Sequence, residues 1–377
     1  MKLKLTLTLS LIIAALLLSG QSSQAQSFSC SNVTEIPVAE CEDLVLLYNS
    51  TNGANWTNKR GWLTTNLPCK WYGVTCQAGH ITQLILSVNQ LSKTIPNFTN
   101  LPNLTQLWLT ENQLSGPIPN FTNLPNLTHL FLSSNKLSGT IPDFTNLPNL
   151  KWLDLNNNQL SGTIPNFTGL PNLTALSLDD NKLSGAIPNF TNLPNLIYLY
   201  LQYNQLSGSI PNFTNLPNLI WLVLHTNQLS GSIPNFSNLP NLDLLSFHTN
   251  QLHGTIPNFT NLSNLTGLSA HDNQLSGAIP HFTNLPKLTE LYLYNNQLSG
   301  TIPNLNWSNF LGLKLYNNCG LVAYDNRQAG VLTGKDSNWQ VHNLDCSHSA
   351  TPTPTISPTP LPTVSPSTWI YLPLIIK

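Results

Sequence analysis

Charge is what this sequence has least of. Only 8% of its 377 residues are Asp, Glu, Lys or Arg, and the formal net charge at pH 7 is −1. A surface that tracks phosphates needs clustered Lys and Arg, so nucleic acid is not expected as a partner. There is no Cys-x-x-Cys pair, no Gly-x-Ser-x-Gly, no His-Glu-x-x-His and no glycine-rich phosphate loop after a strand. Without these, the sequence offers no catalytic constellation, no cofactor and no structural zinc site. Long apolar runs are also missing. The longest, Leu5 to Leu18, falls short of the ~20 residues that cross a bilayer as a helix.

That run sits behind Lys2 and Lys4 and ahead of Ser23-Gln24-Ala25. A positive start, a short apolar stretch and a small-residue end describe a secretory signal over 1–25. Gln21 stands where a lipoprotein signal would need cysteine, so lipidation is not expected. Loss of the two lysines would take the formal charge from −1 to −3.

What the sequence does have is one stretch written about ten times. A clear copy runs Leu104-Thr-Gln-Leu107-Trp-Leu109-Thr-Glu-Asn112-Gln-Leu114-Ser-Gly116-Pro-Ile118-Pro119-Asn-Phe121-Thr-Asn-Leu124-Pro-Asn, and Leu127 begins the next. One asparagine keeps the step: Asn89, Asn112, Asn135, Asn158, Asn181, Asn204, Asn227, Asn250, Asn273 and Asn296. A fixed period of roughly 20–30 residues marks a solenoid, in which no copy can enclose its apolar side chains without neighbours. The alternation at Leu107, Trp108 and Leu109 predicts a short strand with the leucines inside and Trp108 on the open face. Stacked at about 4.8 Å, eleven such strands make a parallel sheet roughly 50 Å long. The asparagine amide is expected to satisfy backbone groups at the bend, as a ladder with no chemistry of its own. Pro119 excludes helix behind it, so the outer side should be extended or turn-like.

The pattern L-x-x-L-x-L-x-x-N-x-L followed by S-G-x-I-P resembles the plant-type leucine-rich repeat. That class includes receptor-kinase ectodomains and polygalacturonase-inhibiting proteins. The resemblance covers roughly residues 30–346. Trp71-Tyr-Gly73-Val-Thr-Cys76 resembles the N-terminal cap that precedes such repeats. The unit is one residue shorter than usual, with Asn-Phe-Thr where Leu-Gly is customary. The resemblance implies a β-rich α/β solenoid: a right-handed superhelix with a parallel concave sheet, disulfide-capped at both ends. Its implied function is recognition of a protein or polysaccharide ligand, without enzyme activity. The alternatives are a structural or adhesive spacer and an inhibitor of a secreted carbohydrate-degrading enzyme.

The expected order is signal (1–25), N-terminal cap (26–80), array (81–318), C-terminal cap (319–348), Thr/Ser/Pro-rich linker (349–368) and apolar tail (369–377). The cap should hold a helix from Pro37 through Tyr48, with Trp56, Trp62 and Trp71 as core. Six cysteines allow fifteen pairings. Four precede the array and two follow it, so the expected bridges are Cys30–Cys41, Cys69–Cys76 and Cys319–Cys346. The linker cannot build a core and should be an extended spacer. The tail is either a sorting tag that retains an exported protein at the cell surface or a plain chain end. The many Asn-x-Thr/Ser sequons, such as Asn97-Phe-Thr, come from the repeat and read first as turn chemistry.

Between near-identical copies, the informative positions are those that differ. The outward strand positions carry Trp108, Phe131, Trp152, Tyr198, Tyr200, Tyr203, Trp221, Tyr292 and Tyr294, all expected to face solvent. Exposed aromatics beside Asn, Gln, Asp and His suit sugar rings or peptide side chains. Trp152, Tyr198, Tyr200, Tyr203 and Trp221 form the expected central cluster. His225, His248 and His271 fall in one column on consecutive strands. Three imidazoles in line do not converge on a tetrahedral metal, so no metal is assigned. Neighbouring imidazolium charges would repel by about 1 kcal/mol in water, so protonation should be disfavoured and the patch sensitive to mild acid. Asp154, Asp179 and Asp180 make an acidic spot beside Trp152. A nearly flat sheet is not expected to raise a carboxyl's pKa as an enclosed active site does.

Overall fold

The computed structural model describes residues 28–305, 309–323 and 334–335. The expected signal, linker, tail and Cys346 lie outside them, and so does the expected Cys319–Cys346 bridge.

Each array unit is one flattened coil. In the copy that starts at Leu104, a three-residue strand (Gln106–Trp108) buries Leu107 and leaves its two neighbours half-buried. Leu109 is also buried. The chain then bends through Glu111, whose φ is +54°. Asn112 follows, and a second strand (Gln113–Gly116) buries Leu114. Ile118, Phe121, Leu124 and Leu127 complete the interior. Phe121 itself has φ +49°, and seven later copies repeat this. A bulky residue at positive φ is costly. Full burial of the ring offsets that cost, and the rings of successive coils stack, as Phe167–Phe190 and Phe190–Phe213 do at 6.4 Å.

The inner strands form a twelve-stranded sheet. Its first member, β1 (Val74–Gln77), runs antiparallel to β2 (His80–Ile85). From β2 onward every pairing is parallel, and the array keeps one constant step: Gln106 pairs with His129, His129 with Trp152, Trp152 with Ala175 and Ala175 with Tyr198. The last step, Glu290 to Gly312, is shorter by one. Identical register at each step turns sequence columns into physical rows. The outer Gln-Leu-Ser-Gly segments are better organised than the sequence suggests. Eleven of them, from Ser92–Lys93 to Gly320–Val322, form a second parallel sheet.

The asparagine ladder couples the coils. Asn158 donates through Nδ2 to the carbonyls of Leu132 in the preceding coil and of Leu155 and Asn156 in its own. Its Oδ1 accepts the Leu137 N–H at 3.0 Å. One side chain thus satisfies four backbone groups.

The N-terminal end is closed by a helix, α1 (Val38–Ser50), which buries Cys41, Leu44 and Leu47. Trp56, Trp62 and Trp71 are buried in the same cap. Disulfides join Cys30 to Cys41 and Cys69 to Cys76. Two buried carboxylates on α1 reach into the first coils. Glu40 accepts the Ile81 N–H and meets the His80 ring. Asp43 accepts the N–H groups of Thr99 and Asn100. Among the described residues no helix is long and apolar enough to cross a membrane.

Candidate functional site

The strand register sets every varied residue on one open face. Tyr203 is exposed as expected, but the other expected aromatics are half-buried. The reason is mutual packing. Trp108 lies 5.0 Å from Phe131, and Phe131 meets the Trp152 ring edge-on at 5.4 Å. Two coils on, Tyr198 meets Trp221 edge-on at 5.2 Å and Tyr200 meets it at 6.2 Å. Trp221 donates its Nε1–H to Asp243 at 3.3 Å.

The expected central cluster is therefore two groups. Ala175 and Ser177 lie between them in register and are buried. Small side chains there separate the two aromatic groups by one coil. Tyr203 belongs to neither group, since its ring meets that of His225 at 5.0 Å.

A polar seam crosses the coil between them. Ser133 donates to Asp154 Oδ2 at 2.7 Å, and the Asn156 N–H reaches Asp154 Oδ1. Asn156 Nδ2 reaches Ser177 Oγ, and Ser177 donates to Asp179 Oδ1 at 2.5 Å. Burial pushes the Asp154 carboxyl above its ordinary range. Asp179 is pushed up to about 6, by burial first and then by the charges of Asp154 and Asp180. The flat-sheet expectation fails here, because neighbouring aromatics and close-packed coils desolvate these groups without an enclosed pocket.

The third feature is a column of rings. His225 stacks on His248 at 4.2 Å, His248 on His271 at 4.1 Å, His271 on Tyr294 at 4.1 Å and Tyr294 on Tyr316 at 4.6 Å. Each imidazole is oriented by its neighbour in sequence. Nδ1 of His225 and His248 meets Thr226 and Thr249, and Nδ1 of His271 meets Asp272 at 2.6 Å. Stacked rings hold their nitrogens parallel rather than convergent, and no cluster among the described residues has metal-binding geometry. Burial, then the neighbouring imidazoles, lowers His225 to about 4 and His248 to about 3. In mild acid these two rings stay neutral, while Asp179 takes up its proton. Tyr316, absent from the expected set, carries a sequence signal of its own: it stands two before Asn318 in the shortened last unit, the column's own position. Tyr292 lies at that end too, its ring across Gly312.

Models of leucine-rich repeats match residues 103–124, 125–169, 148–192, 195–216 and 263–307. Among solved structures, the chain is 36% identical to the leucine-rich-repeat ectodomain of a plant membrane receptor kinase from Arabidopsis thaliana, solved with Casparian strip integrity factor 2. That match has a TM-score of 0.69 and covers 74% of this chain and 36% of the ectodomain. It is 30% identical to a plant ice-binding protein, with a TM-score of 0.65, covering 77% of this chain and 96% of that one. The chain belongs to the leucine-rich repeat family. A further leucine-rich-repeat relative, a plant peptide hormone receptor solved in complex with RGF2, is 40% identical with a TM-score of 0.57, over 64% of this chain and 38% of that one. This leucine-rich-repeat chain thus spans little more than a third of the length of these two receptors. No curated protein matches it in sequence.

Proposed function

We propose that this protein is exported and recognises an extended peptide segment of a protein partner on its concave face. The observation that carries the reading is the pair of half-buried aromatic groups on this face, Phe131–Trp152 and Tyr198–Tyr200–Trp221, set one coil apart across the small side chains of Ala175 and Ser177. The aromatic rings offer apolar contact to ligand side chains, and the buried seam of Asp154, Ser177 and Asp179 holds the coil between them in place. The His225–Tyr316 ring column extends the same face toward the C-terminal end. Two receptors similar to this chain were solved with their ligands. The proposed site comprises Trp152, Asp154, Asp179, Tyr198, Tyr200 and Trp221, extended by Trp108, Phe131, Tyr203, His225, His248, His271, Tyr292 and Tyr294. The signal at 1–25 supports export, and the linker and tail support retention at the surface. Binding, rather than catalysis, is the activity assigned.

The test is selection of a displayed random-peptide library against the purified protein, with a Trp152→Ala/Trp221→Ala variant beside it. Peptides that bind the parent and lose at least tenfold in affinity for the variant place recognition on this face. Equal affinity for both, or no selected peptide, returns the array to a spacer role. Co-purification with a secreted hydrolase would favour the inhibitor alternative.

One observation favours a second reading. On the outer sheet, Thr140, Thr163 and Thr255 each pack a methyl close to the position a side chain would take on Gly162, Gly185 and Gly277 of the next coil. Glycine at positive φ there lies against a row of small side chains, Thr and Ser with Ala186, Ala278 and Pro117 among them. The similarity to a plant ice-binding protein over nearly its whole length makes that face a candidate for contact with an ordered water surface. Inhibition of ice recrystallisation that a Thr163→Glu/Thr255→Glu variant loses would support it, and no inhibition by the parent would remove it.

A further inference from the structure

The flank of the solenoid carries a groove that the concave face does not share. It lies where each coil passes from its Leu-Pro-Asn corner toward the inner strand. Two adjoining cavities of about 690 and 440 Å³ run along it and share Lys151 and Asn172. Together they extend from the cap at His80 to the corner at Asn241.

Two side-chain rows line the groove, both fixed by the coil before. In the first, Asn172, Asn195, Asn218 and Asn241 donate Nδ2–H to the carbonyls of Pro148, Pro171, Pro194 and Pro217 at 2.9–3.1 Å. Each amide has a second N–H and a carbonyl oxygen besides, and these amides lie on the exposed side of the chain. In the second row, Thr105, Thr128 and Thr174 donate their hydroxyls to the carbonyls of Thr82, Thr105 and Lys151 at 2.8–2.9 Å. Their oxygens retain acceptor capacity. The result is a set of donors and acceptors already ordered at the strand spacing of about 4.8 Å. Such a set loses little side-chain freedom on binding.

The occupant's chemistry follows from what the groove lacks. An added peptide strand needs open backbone groups, but the backbone here is paired from coil to coil. Thr128 N donates to Thr105 O, Lys151 N to Thr128 O, Thr174 N to Lys151 O and Ile197 N to Thr174 O, all at 2.8 Å. A polyanion needs a row of cations, and Lys151 is the one Lys or Arg in the lining. What is offered is amides, hydroxyls and the apolar side chains of Ile197 and Ile220. Those groups match a ligand with repeated hydroxyls and weakly polar ring faces. We infer that this flank binds a neutral linear polysaccharide, at a site separate from the concave face and independent of its ligand.

The experiment titrates the full protein with cellohexaose and, separately, laminarihexaose by calorimetry at low and high salt. The expected result is saturable binding of at least one of them, little changed by salt. It should weaken at least tenfold in an Ile197→Glu/Ile220→Glu variant and persist in Trp152→Ala/Trp221→Ala. An Ile197→Ser/Ile220→Ser variant, milder for folding, should weaken it in the same direction. Absence of saturable binding to both sugars by the folded parent would overturn the inference. So would binding that ignores the flank variants, or binding lost only with the concave aromatics. The peptide selection is scored on the concave-face variant and the sugar titration on the flank variants, so failure there and failure here are separate results.

Discussion

The imidazoles of His225 and His248 lie face to face, 4.2 Å between centroids and 10° between planes. Neither ring can take a proton without placing charge against its neighbour, and burial removes the water that would solvate it. Both groups are thereby held far below the ordinary histidine range, at about 4 and about 3. Below pH 6.5 the unfolded chain binds protons at these positions and the folded chain does not, so acid draws the equilibrium toward unfolding. The contribution is fully present at neutral pH. It declines as pH falls from about 6.5 toward 3–4. Nuclear magnetic resonance titration should show both rings neutral at pH 5. In a His225→Gln/His248→Gln variant, the fall of melting temperature between pH 6.5 and 4 should be shallower than in the parent.

Asp179 works in the opposite direction. Its folded carboxyl titrates near 6, above the ordinary value of 3.8. At neutral pH the buried charge is a burden on the folded state, and protonation as pH falls from about 6 to 4 relieves it. Asp179→Asn keeps an acceptor for Ser177 and removes the charge. It should stabilise the protein at pH 7.5 by roughly 1–3 kcal/mol, and the gain should shrink at pH 5. Paired urea melts at the two pH values measure this. Equal effects at both would mean that the seam is solvated.

Much of this fold is legible because a constant repeat length converts directly into register. Leu107, Leu109 and Leu114 announce an interior, and Asn112 announces a bend. What the sequence does not display is how the open face packs against itself. Trp152 and Tyr198 occupy equivalent positions two coils apart, yet Ala175 between them divides one expected cluster into two groups. Burial of Asp179 depends on that same packing, which no single unit encodes. Glu40 and Asp43 lie on the cap helix. Glu40 finds Ile81 across a separation of 41 in sequence, and Asp43 finds Thr99 and Asn100 across 56 and 57, beyond the reach of local pattern. The second asparagine row, Asn172 to Asn241, is concealed by the repetition itself, because its solvent-facing side resembles ordinary turn chemistry.

The bend asparagines give a measurable test of coupling between coils. Asn181 donates to Leu155, Leu178 and Asp179 carbonyls and accepts the Leu160 N–H, and it is almost fully buried. Asn181→Ala strands these groups where water has little access. A loss of about 2–4 kcal/mol is expected, in the range for several unsatisfied buried groups that relax in part. Gln159 is exposed at the start of an outer strand and stands outside the ladder. Its replacement by Ala should change stability by less than about 0.5 kcal/mol. Urea unfolding of the two variants compares them directly.

Asp43 ties the cap to the array through two backbone N–H groups, Thr99 at 2.9 Å and Asn100 at 2.7 Å. Both bonds are charge-assisted and the carboxylate is buried, so each is stronger than a neutral bond. The helix that carries Asp43 also covers the open end of the coil stack, where apolar groups of the first repeat would otherwise meet water. Asp43→Ala should therefore loosen a local joint rather than the whole array. The expected loss is about 2–3 kcal/mol, concentrated at the N-terminal end. Hydrogen exchange at Thr99 and Asn100 should accelerate at least tenfold, while amides near Leu199 and Leu222 in the central strands keep their protection. Protection lost evenly along the array would show that the cap and the coils unfold as one unit, and that Asp43 stabilises the whole rather than the joint.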